Sequence, residues 1–201
     1  LNNIFLTESE TEVNATKLHR NIFCLAAPHP HKNIQMVPLI ANELRNMGEN
    51  YSFILTLPEE SSLWHDIKIS SKKLGVEKFI NNVGVLKINE CLDWYRNSFL
   101  VFMPTLLEVF SATYLEAMAM RKTILTSDMD FSREICGDAA YYFNPESAED
   151  AATAVNTIYQ DGELRKQLVN KGIERLRLFP SSKEKNEELL NWFKKIINEK
   201  Q

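Results

Sequence analysis

Short apolar runs alternate with longer amphipathic segments along most of the chain, and this alternation limits the possible folds more than any other feature. The apolar runs are typical of buried β-strands, and the amphipathic segments are typical of α-helices. A chain in which strands and helices alternate forms a parallel sheet with helices on both faces. We therefore predict an α/β fold built on a doubly wound parallel sheet.

The boundaries of the elements follow from the same pattern. Strands are predicted at residues 21–27, 51–57, 78–83, 99–103, 123–125 and 140–143. Helices are predicted at residues 34–47, 61–74, 89–97, 112–120, 131–136, 147–159, 164–178 and 183–199. Gly48 and Gly75 follow two of these helices, as is common at helix C-termini, and Asn89 and Ser111 are the predicted N-caps of two others.

Composition narrows the class of protein. A chain of 201 residues with 44% hydrophobic residues is long enough for one domain with its own core. A net charge of −4 argues against a nucleic-acid partner, because phosphates require a basic surface. The three cysteines, Cys24, Cys91 and Cys136, form no C-x-x-C pair, and scattered free thiols are typical of a reducing compartment. We therefore predict a cytoplasmic protein.

The stretch at residues 104–128 carries the strongest functional signal. Together with the apolar run at residues 99–103 before it, this stretch predicts a strand, a loop, a helix and a second strand, with Glu108 in the loop and Glu116 in the helix. The first turn of such a helix offers unpaired N–H groups and the positive end of the helix dipole to an anion. Glu116 is surrounded by small and apolar residues, and a carboxylate at the edge of a buried face needs a partner. A phosphate flanked by hydroxyls is the chemistry of a nucleotide sugar.

The same stretch resembles a known family. The motif P-T-L-x-E-x-F-S-x-x-Y-L-E-A-M-A, followed by T-S-D and R-E-I-C-G-D-A-A-Y-Y-F-N-P, resembles the donor-binding, C-terminal domain of retaining GT-B glycosyltransferases of family four, the glycosyl transferases group 1. The resemblance covers most of residues 20–160. It implies a Rossmann-like half of a GT-B enzyme at residues 1–182, a C-terminal crossover helix at residues 183–201, and an N-terminal acceptor domain outside this chain.

The resemblance also implies a role for each site residue. Glu116 would bind the ribose, Glu108 the transferred hexose and Lys32 the diphosphate, so that Glu108 and Lys32 are the catalytic residues. A lysine at a helix start is electrostatically unfavourable unless an anion is present, which independently favours this role for Lys32. The remaining contacts with the nucleotide sugar are expected from two segments. One is the helix start, with Phe110, Ser111, Ala112 and Thr113; the other follows the third strand, resembles the loop that holds the nucleobase through backbone groups, and comprises Gly84, Val85, Leu86 and Asn89.

Some positions depart from the family pattern. Ala27 stands where an arginine is usual, and His29 or His31 is the candidate substitute for that cation. Val109 and Ser111 stand where glycines are common, and glycine permits unusual backbone angles. Residues 128–130, Asp-Met-Asp, match the D-x-D metal motif of the GT-A fold, but the surrounding match to GT-B argues against a metal site, and none is predicted.

The resemblance thus implies donor binding within a retaining hexosyltransferase. The donor would be a UDP-sugar or a GDP-sugar, no cofactor would be required, and a glycan or lipid-linked acceptor would bind to the N-terminal domain. The motif sequences resemble those of enzymes of bacterial surface polysaccharide synthesis. A peripheral association of the full-length protein with the inner face of the membrane stays open. This chain alone is expected to be inactive in transfer. A non-catalytic nucleotide-sugar-binding module and a GT-B nucleotide-sugar 2-epimerase are the alternatives.

Overall fold

A computed structural model describes residues 20–179, and its centre is a six-stranded sheet. The strands are β1 (Asn21–Cys24), β2 (Ser52–Leu55), β3 (Ile80–Asn82), β4 (Leu100–Met103), β5 (Thr123–Ser127) and β6 (Ala140–Phe143). All pairings are parallel, and the strand order is β3-β2-β1-β4-β5-β6. The chain moves outward from β1 in one direction and from β4 in the other, which confirms the predicted doubly wound α/β fold.

Seven α-helices connect or follow the strands within residues 20–179. They are α1 (Val37–Asn46), α2 (Ser62–Leu74), α3 (Ile88–Arg96), α4 (Ala112–Ala119), α5 (Asp130–Cys136), α6 (Ala148–Gln160) and α7 (Gly162–Leu176). None of the helices in this part of the chain combines the length and apolar character needed to cross a membrane.

The sheet is buried on both faces. Because successive side chains of a strand point to opposite sides, Ile22 and Cys24 of β1 pack in one cluster with α1, α2 and α6, whereas Phe23 packs in a second cluster with α3, α4 and α5. Leu176 of α7 packs against the second cluster. Burial on both faces explains why the strands appear in the sequence as continuous apolar runs.

The predicted elements are confirmed in kind, with changes at their ends. The segment predicted as a helix at 34–47 begins with a 3₁₀ turn, Ile34–Met36, before α1. The strand predicted at 78–83 begins two residues later, because Glu77–Phe79 also forms a 3₁₀ turn. Gly48 and Gly75 adopt positive φ angles of 80° and 68° at the ends of α1 and α2, as predicted. The predicted helix at 183–199 lies outside the described residues, and so the domain boundary at 182 stays a prediction.

All three cysteines are free thiols. Cys24 and Cys136 are buried, and burial raises the pKa of each thiol to about 12. Cys91 is half-buried on α3, where burial and the charge of Glu116 both raise its pKa.

The sheet core supplies a test of the fold. Phe102 of β4 is 1% exposed and lies between Phe53 and Phe143, with ring centroids 6.0 and 5.4 Å away. Phe102→Ala removes these contacts and leaves a cavity, so we expect it to lower the free energy of unfolding by about 3–5 kcal/mol. Urea denaturation measures this loss. Ile69→Ala, at a side chain that is 56% exposed, is the control and should change stability by less than about 0.5 kcal/mol; equal losses in the two variants would contradict this packing.

Candidate functional site

Lys32 follows the carboxyl end of β1, and the two predicted glutamates, Glu108 and Glu116, follow that of β4; these are the neighbouring strands at which the sheet order reverses. In doubly wound sheets, ligands bind in the crevice outside this switch point. Lys32 ends a 3₁₀ turn, Pro30–Lys32, in the loop after β1, and Glu108 lies in the loop between β4 and α4. The fold thus brings together two side chains that are 76 residues apart in the sequence.

Hydrogen bonds fasten these two loops to each other. The carbonyl of His31 accepts one from the backbone amide of Leu106, at 2.7 Å, and one from the hydroxyl of Thr105, at 3.1 Å. Thr105 is buried, so its hydroxyl is shielded from competing water. The position of Lys32 relative to Glu108 is therefore set by the backbone as well as by their charges.

Lys32 and Glu108 form an ion pair between the same two loops, and we call this contact between the loops the loop joint. The Lys32 ammonium donates to the Glu108 carboxylate, and the two side chains are only 19% and 17% exposed. Charges that have lost most of their hydration need such a partner. Each of these two residues is predicted from the sequence to contact the nucleotide sugar. That Lys32 and Glu108 form an ion pair with each other is not predicted from the sequence. A cation suited to a phosphate and a carboxylate suited to hydroxyls thus stand side by side.

The start of α4 borders the Glu108 loop. Ser111 occupies the N-cap position, as predicted, but its side chain makes no capping hydrogen bond. The predicted N-cap position is therefore confirmed, and the hydroxyl leaves the first amides of the helix without a side-chain acceptor. Ala112 and Thr113 open the helix, where amide groups have no acceptor within the helix and the dipole is positive. This end of α4 is chemically suited to an anion.

Val109 and Ser111, which stand where the family pattern has glycines, do not distort the Glu108 loop. Neither Val109 nor Ser111 adopts a positive φ angle, so the loop uses no conformation that glycine alone favours. The Val109 side chain is 95% exposed and makes almost no contact with the described chain. Phe110 is 44% exposed, and its ring centroid lies 6.2 Å from that of Phe179.

Glu116 lies in the second half of α4 and is held by a residue that the sequence analysis missed. The hydroxyl of Tyr95, on α3, donates to a Glu116 carboxylate oxygen at 2.9 Å. The carboxylate thus has one partner within the protein, a neutral phenol, and its predicted binding to the ribose stays a prediction. Burial, and next the charge of Glu116, raise the pKa of the Tyr95 hydroxyl, so it stays a donor. Only its place in an amphipathic helix marked Tyr95 in the sequence.

The predicted nucleobase segment borders a cavity. Gly84 follows β3 with a φ angle of 76°, in the left-handed region that favours glycine. A cavity of about 540 Å³ is lined by Val83, Val85, Leu86, Glu90, Asp93, Trp94 and Asn97. Asn89 does not line it, and α3 begins at Ile88 with Lys87 at the N-cap position, so the prediction that Asn89 caps this helix is wrong.

The Asp-Met-Asp segment is engaged within the protein. Both carboxylate oxygens of Asp128 accept hydrogen bonds from the Arg133 guanidinium, at 2.5 and 2.8 Å. This contact lowers the pKa of Asp128. Asp130 is the first residue of α5. In residues 20–179 no group of three or more histidine, cysteine, aspartate or glutamate side chains is arranged to hold a metal ion.

Two histidines accompany Lys32 on the loop after β1. The rings of His29 and His31 are stacked, with centroids 5.5 Å apart and an interplanar angle of 11°. Ala27, at the position where the resemblance expects an arginine, is exposed two residues before His29. That one of these histidines replaces the arginine stays a prediction.

Comparisons with known proteins identify the family and the fold. Residues 8–175 match the family model described as glycosyl transferases group 1. A glycosyltransferase from Rickettsia africae superposes with a TM-score of 0.76 at 14% identity, covering 94% of this chain and 50% of that one. The Anabaena protein HepE, solved in complex with UDP and glucose, superposes with a TM-score of 0.74 at 14% identity, and the match covers 88% of this chain and 48% of HepE. The C-terminal domain of a group 1 glycosyl transferase from Francisella tularensis superposes with a TM-score of 0.67 at 20% identity, and the match covers 80% of this chain and 86% of that domain.

The chain therefore spans about half the length of the first two of these proteins and most of the isolated C-terminal domain. At these identities the superpositions concern the fold alone. A search of curated proteins finds no match.

The ion pair supplies a test of the site geometry. We expect the variants Lys32→Met and Glu108→Gln each to destabilise the protein, because each leaves the other half-buried group without its charged partner. The double variant should lose less than the sum, with a coupling of about 0.5–3 kcal/mol in urea denaturation. The pair Lys68–Glu59, 46% and 72% exposed, is the matched control and should couple by at most about 1 kcal/mol. Strict additivity at Lys32 and Glu108 would contradict the pairing.

Proposed function

This chain belongs to the glycosyl transferases group 1 family, and we propose that it is the donor-binding, C-terminal domain of a retaining hexosyltransferase of family four. The donor is a UDP-sugar or a GDP-sugar, and no cofactor takes part. The acceptor is a glycan or a lipid-linked glycan held by an N-terminal domain, and the product is a bacterial surface polysaccharide. The retaining outcome and the product class rest on the motif at residues 104–145.

One observation carries this proposal: Lys32, Glu108 and the start of α4 lie at the switch point of the sheet, and Glu116 lies about one turn further along the same helix. Lys32 offers a cation, the start of α4 offers amides and a positive dipole, and Glu108 and Glu116 offer carboxylates. A diphosphate between two sets of hydroxyls, ribose on one side and hexose on the other, needs this combination of charges. Glu108 is paired directly with Lys32, which suits a hexose attached to the phosphate that Lys32 binds.

The same groups account for bond cleavage. When the bond between the sugar and the phosphate breaks, negative charge develops on the departing diphosphate. Lys32 and the α4 N-terminus stabilise that charge without having to reorganise, since the loop joint and the helix already hold them. Glu116 orients the nucleoside and Glu108 the sugar ring, and this positioning supplies the second contribution to the rate.

Two solved structures support the assignment to the donor half of the enzyme. The Francisella tularensis match is itself a C-terminal domain, and it is covered over 86% of its length. HepE carries UDP and glucose, which are a nucleoside diphosphate and a hexose. We therefore choose UDP and GDP, with their hexose conjugates, as the first ligands to test.

The two glutamates should be separable by ligand. We expect Glu116→Gln to weaken both the free nucleoside diphosphate and its sugar conjugate by roughly tenfold or more, since a hydrogen bond to a charged group contributes about 1.5–3 kcal/mol. Glu108→Gln should spare the free nucleotide, because glutamine can still accept from Lys32, and should remove only the affinity that the hexose adds. Calorimetry on both variants with both ligands measures this. Equal losses for Glu108→Gln with either ligand would refute its assignment to the hexose.

Donor binding should not depend on a divalent metal. We expect affinity for UDP or GDP to survive EDTA and to fall in Lys32→Ala, because the lysine and the helix dipole neutralise the diphosphate. Asp128→Asn is the control, and it should bind nucleotide like the unmodified chain. A strict requirement for manganese or magnesium that Asp128→Asn abolishes would contradict this account and favour the D-x-D interpretation.

A further inference from the structure

The contact between Tyr95 and Glu116 joins two helices across the candidate site. Tyr95 lies near the end of α3 and is 2% exposed, and its ring meets Phe23 of β1 edge-on, with centroids 5.0 Å apart and an interplanar angle of 84°. The ring is thus anchored on the central sheet. Only the hydroxyl reaches beyond the core, and it reaches Glu116.

The direction of this hydrogen bond is determined by chemistry. An ionised carboxylate can only accept, so the Tyr95 hydroxyl donates to it. Within residues 20–179 this is the hydrogen bond that the Glu116 side chain receives from the protein. A carboxylate has about four acceptor positions on its two oxygens, so one donor orients Glu116 and leaves the capacity to accept from two neighbouring hydroxyls.

The helix that carries Tyr95 is held in place at its C-terminal end, next to Tyr95 itself. Lys122, just after α4, donates to the carbonyls of Arg96 and Ser98, both at 2.9 Å. The start of α3 borders the predicted nucleobase segment, and three residues of α3, Glu90, Asp93 and Trp94, line the cavity there. One rigid helix therefore contributes to both the predicted base site and the predicted ribose site.

We propose that Tyr95 is a positioning residue for nucleotide binding: its hydroxyl holds the Glu116 carboxylate in the orientation that accepts hydrogen bonds from the ribose hydroxyls. The inference rests on the proposed function, since it takes Glu116 as the ribose ligand. A glutamate on a helix surface samples several rotamers, and binding would have to order it. Tyr95 orders it before the ligand arrives, which strengthens binding without any contact between Tyr95 and the ligand.

Tyr95→Phe tests this inference, because phenylalanine keeps the ring on Phe23 and removes only the hydroxyl. Calorimetry with UDP and GDP, each compared with its 2′-deoxy form, gives the readout. We expect the variant to bind the ribonucleotide roughly two- to tenfold more weakly, the cost of ordering one flexible side chain, and to lose less affinity for the 2′-deoxy form. In the Glu116→Ala background, Tyr95→Phe should have almost no further effect, since alanine leaves the Tyr95 hydroxyl no acceptor at this position to orient.

Two controls separate positioning from general destabilisation. Tyr51→Phe also removes a buried tyrosine hydroxyl, one that donates to Asn156 at 3.0 Å, and it should leave nucleotide affinity unchanged. Thermal unfolding of each variant reports stability directly. Equal losses for ribo- and deoxyribonucleotide, additivity with Glu116→Ala, or no loss at all would overturn the role of Tyr95.

The same experiment distinguishes failure of this inference from failure of the proposed function. If the unmodified chain binds the nucleotides, and Glu116→Gln lowers their affinity while Tyr95→Phe does not, only the positioning role is wrong. If the unmodified chain binds neither UDP nor GDP, the proposed donor site is wrong and the inference falls with it.

Discussion

The candidate site depends on one joint, the fastening of the loop after β1 to the loop after β4. At a reversal of strand order the two connections leave in opposite directions, so a crevice opens between them. Here the carbonyl of His31 bridges that crevice to Thr105 and Leu106. The ion pair of Lys32 and Glu108 connects the same two loops. Both charged groups are thereby held at the carboxyl edge of the sheet, next to the start of α4.

The two glutamates of the central motif are held by different chemistry. Glu108 is paired with a cation, so any ligand that reaches it also meets Lys32. Glu116 is paired with a neutral phenol, which orients the carboxylate without neutralising its charge. Such a division suits a ligand with a charged phosphate at one point and an uncharged sugar at another.

Sequence patterns predicted the elements of the fold well and their ends less well. The central strands were identifiable because burial on both faces favours apolar residues, as in the stretch at 99–103. Errors came where local hydrogen bonds decide the outcome. Asn89 has a side chain that commonly caps helices, yet α3 begins before Asn89. Cap preference is a small energy, and the packing of a whole helix readily overrides it.

By itself, the sequence determined the fold class and the family, because hydrophobic periodicity and a dense local motif are properties of neighbouring residues. It also marked Lys32, Glu108 and Glu116 as functional candidates, each from its own local context. Only the tertiary structure decided how they are partnered. The contact of Lys32 with Glu108 joins residues 76 apart, and that of Tyr95 with Glu116 joins residues 21 apart on two helices. Such pairings arise when the sheet brings strand ends together, and no spacing within a single segment encodes them.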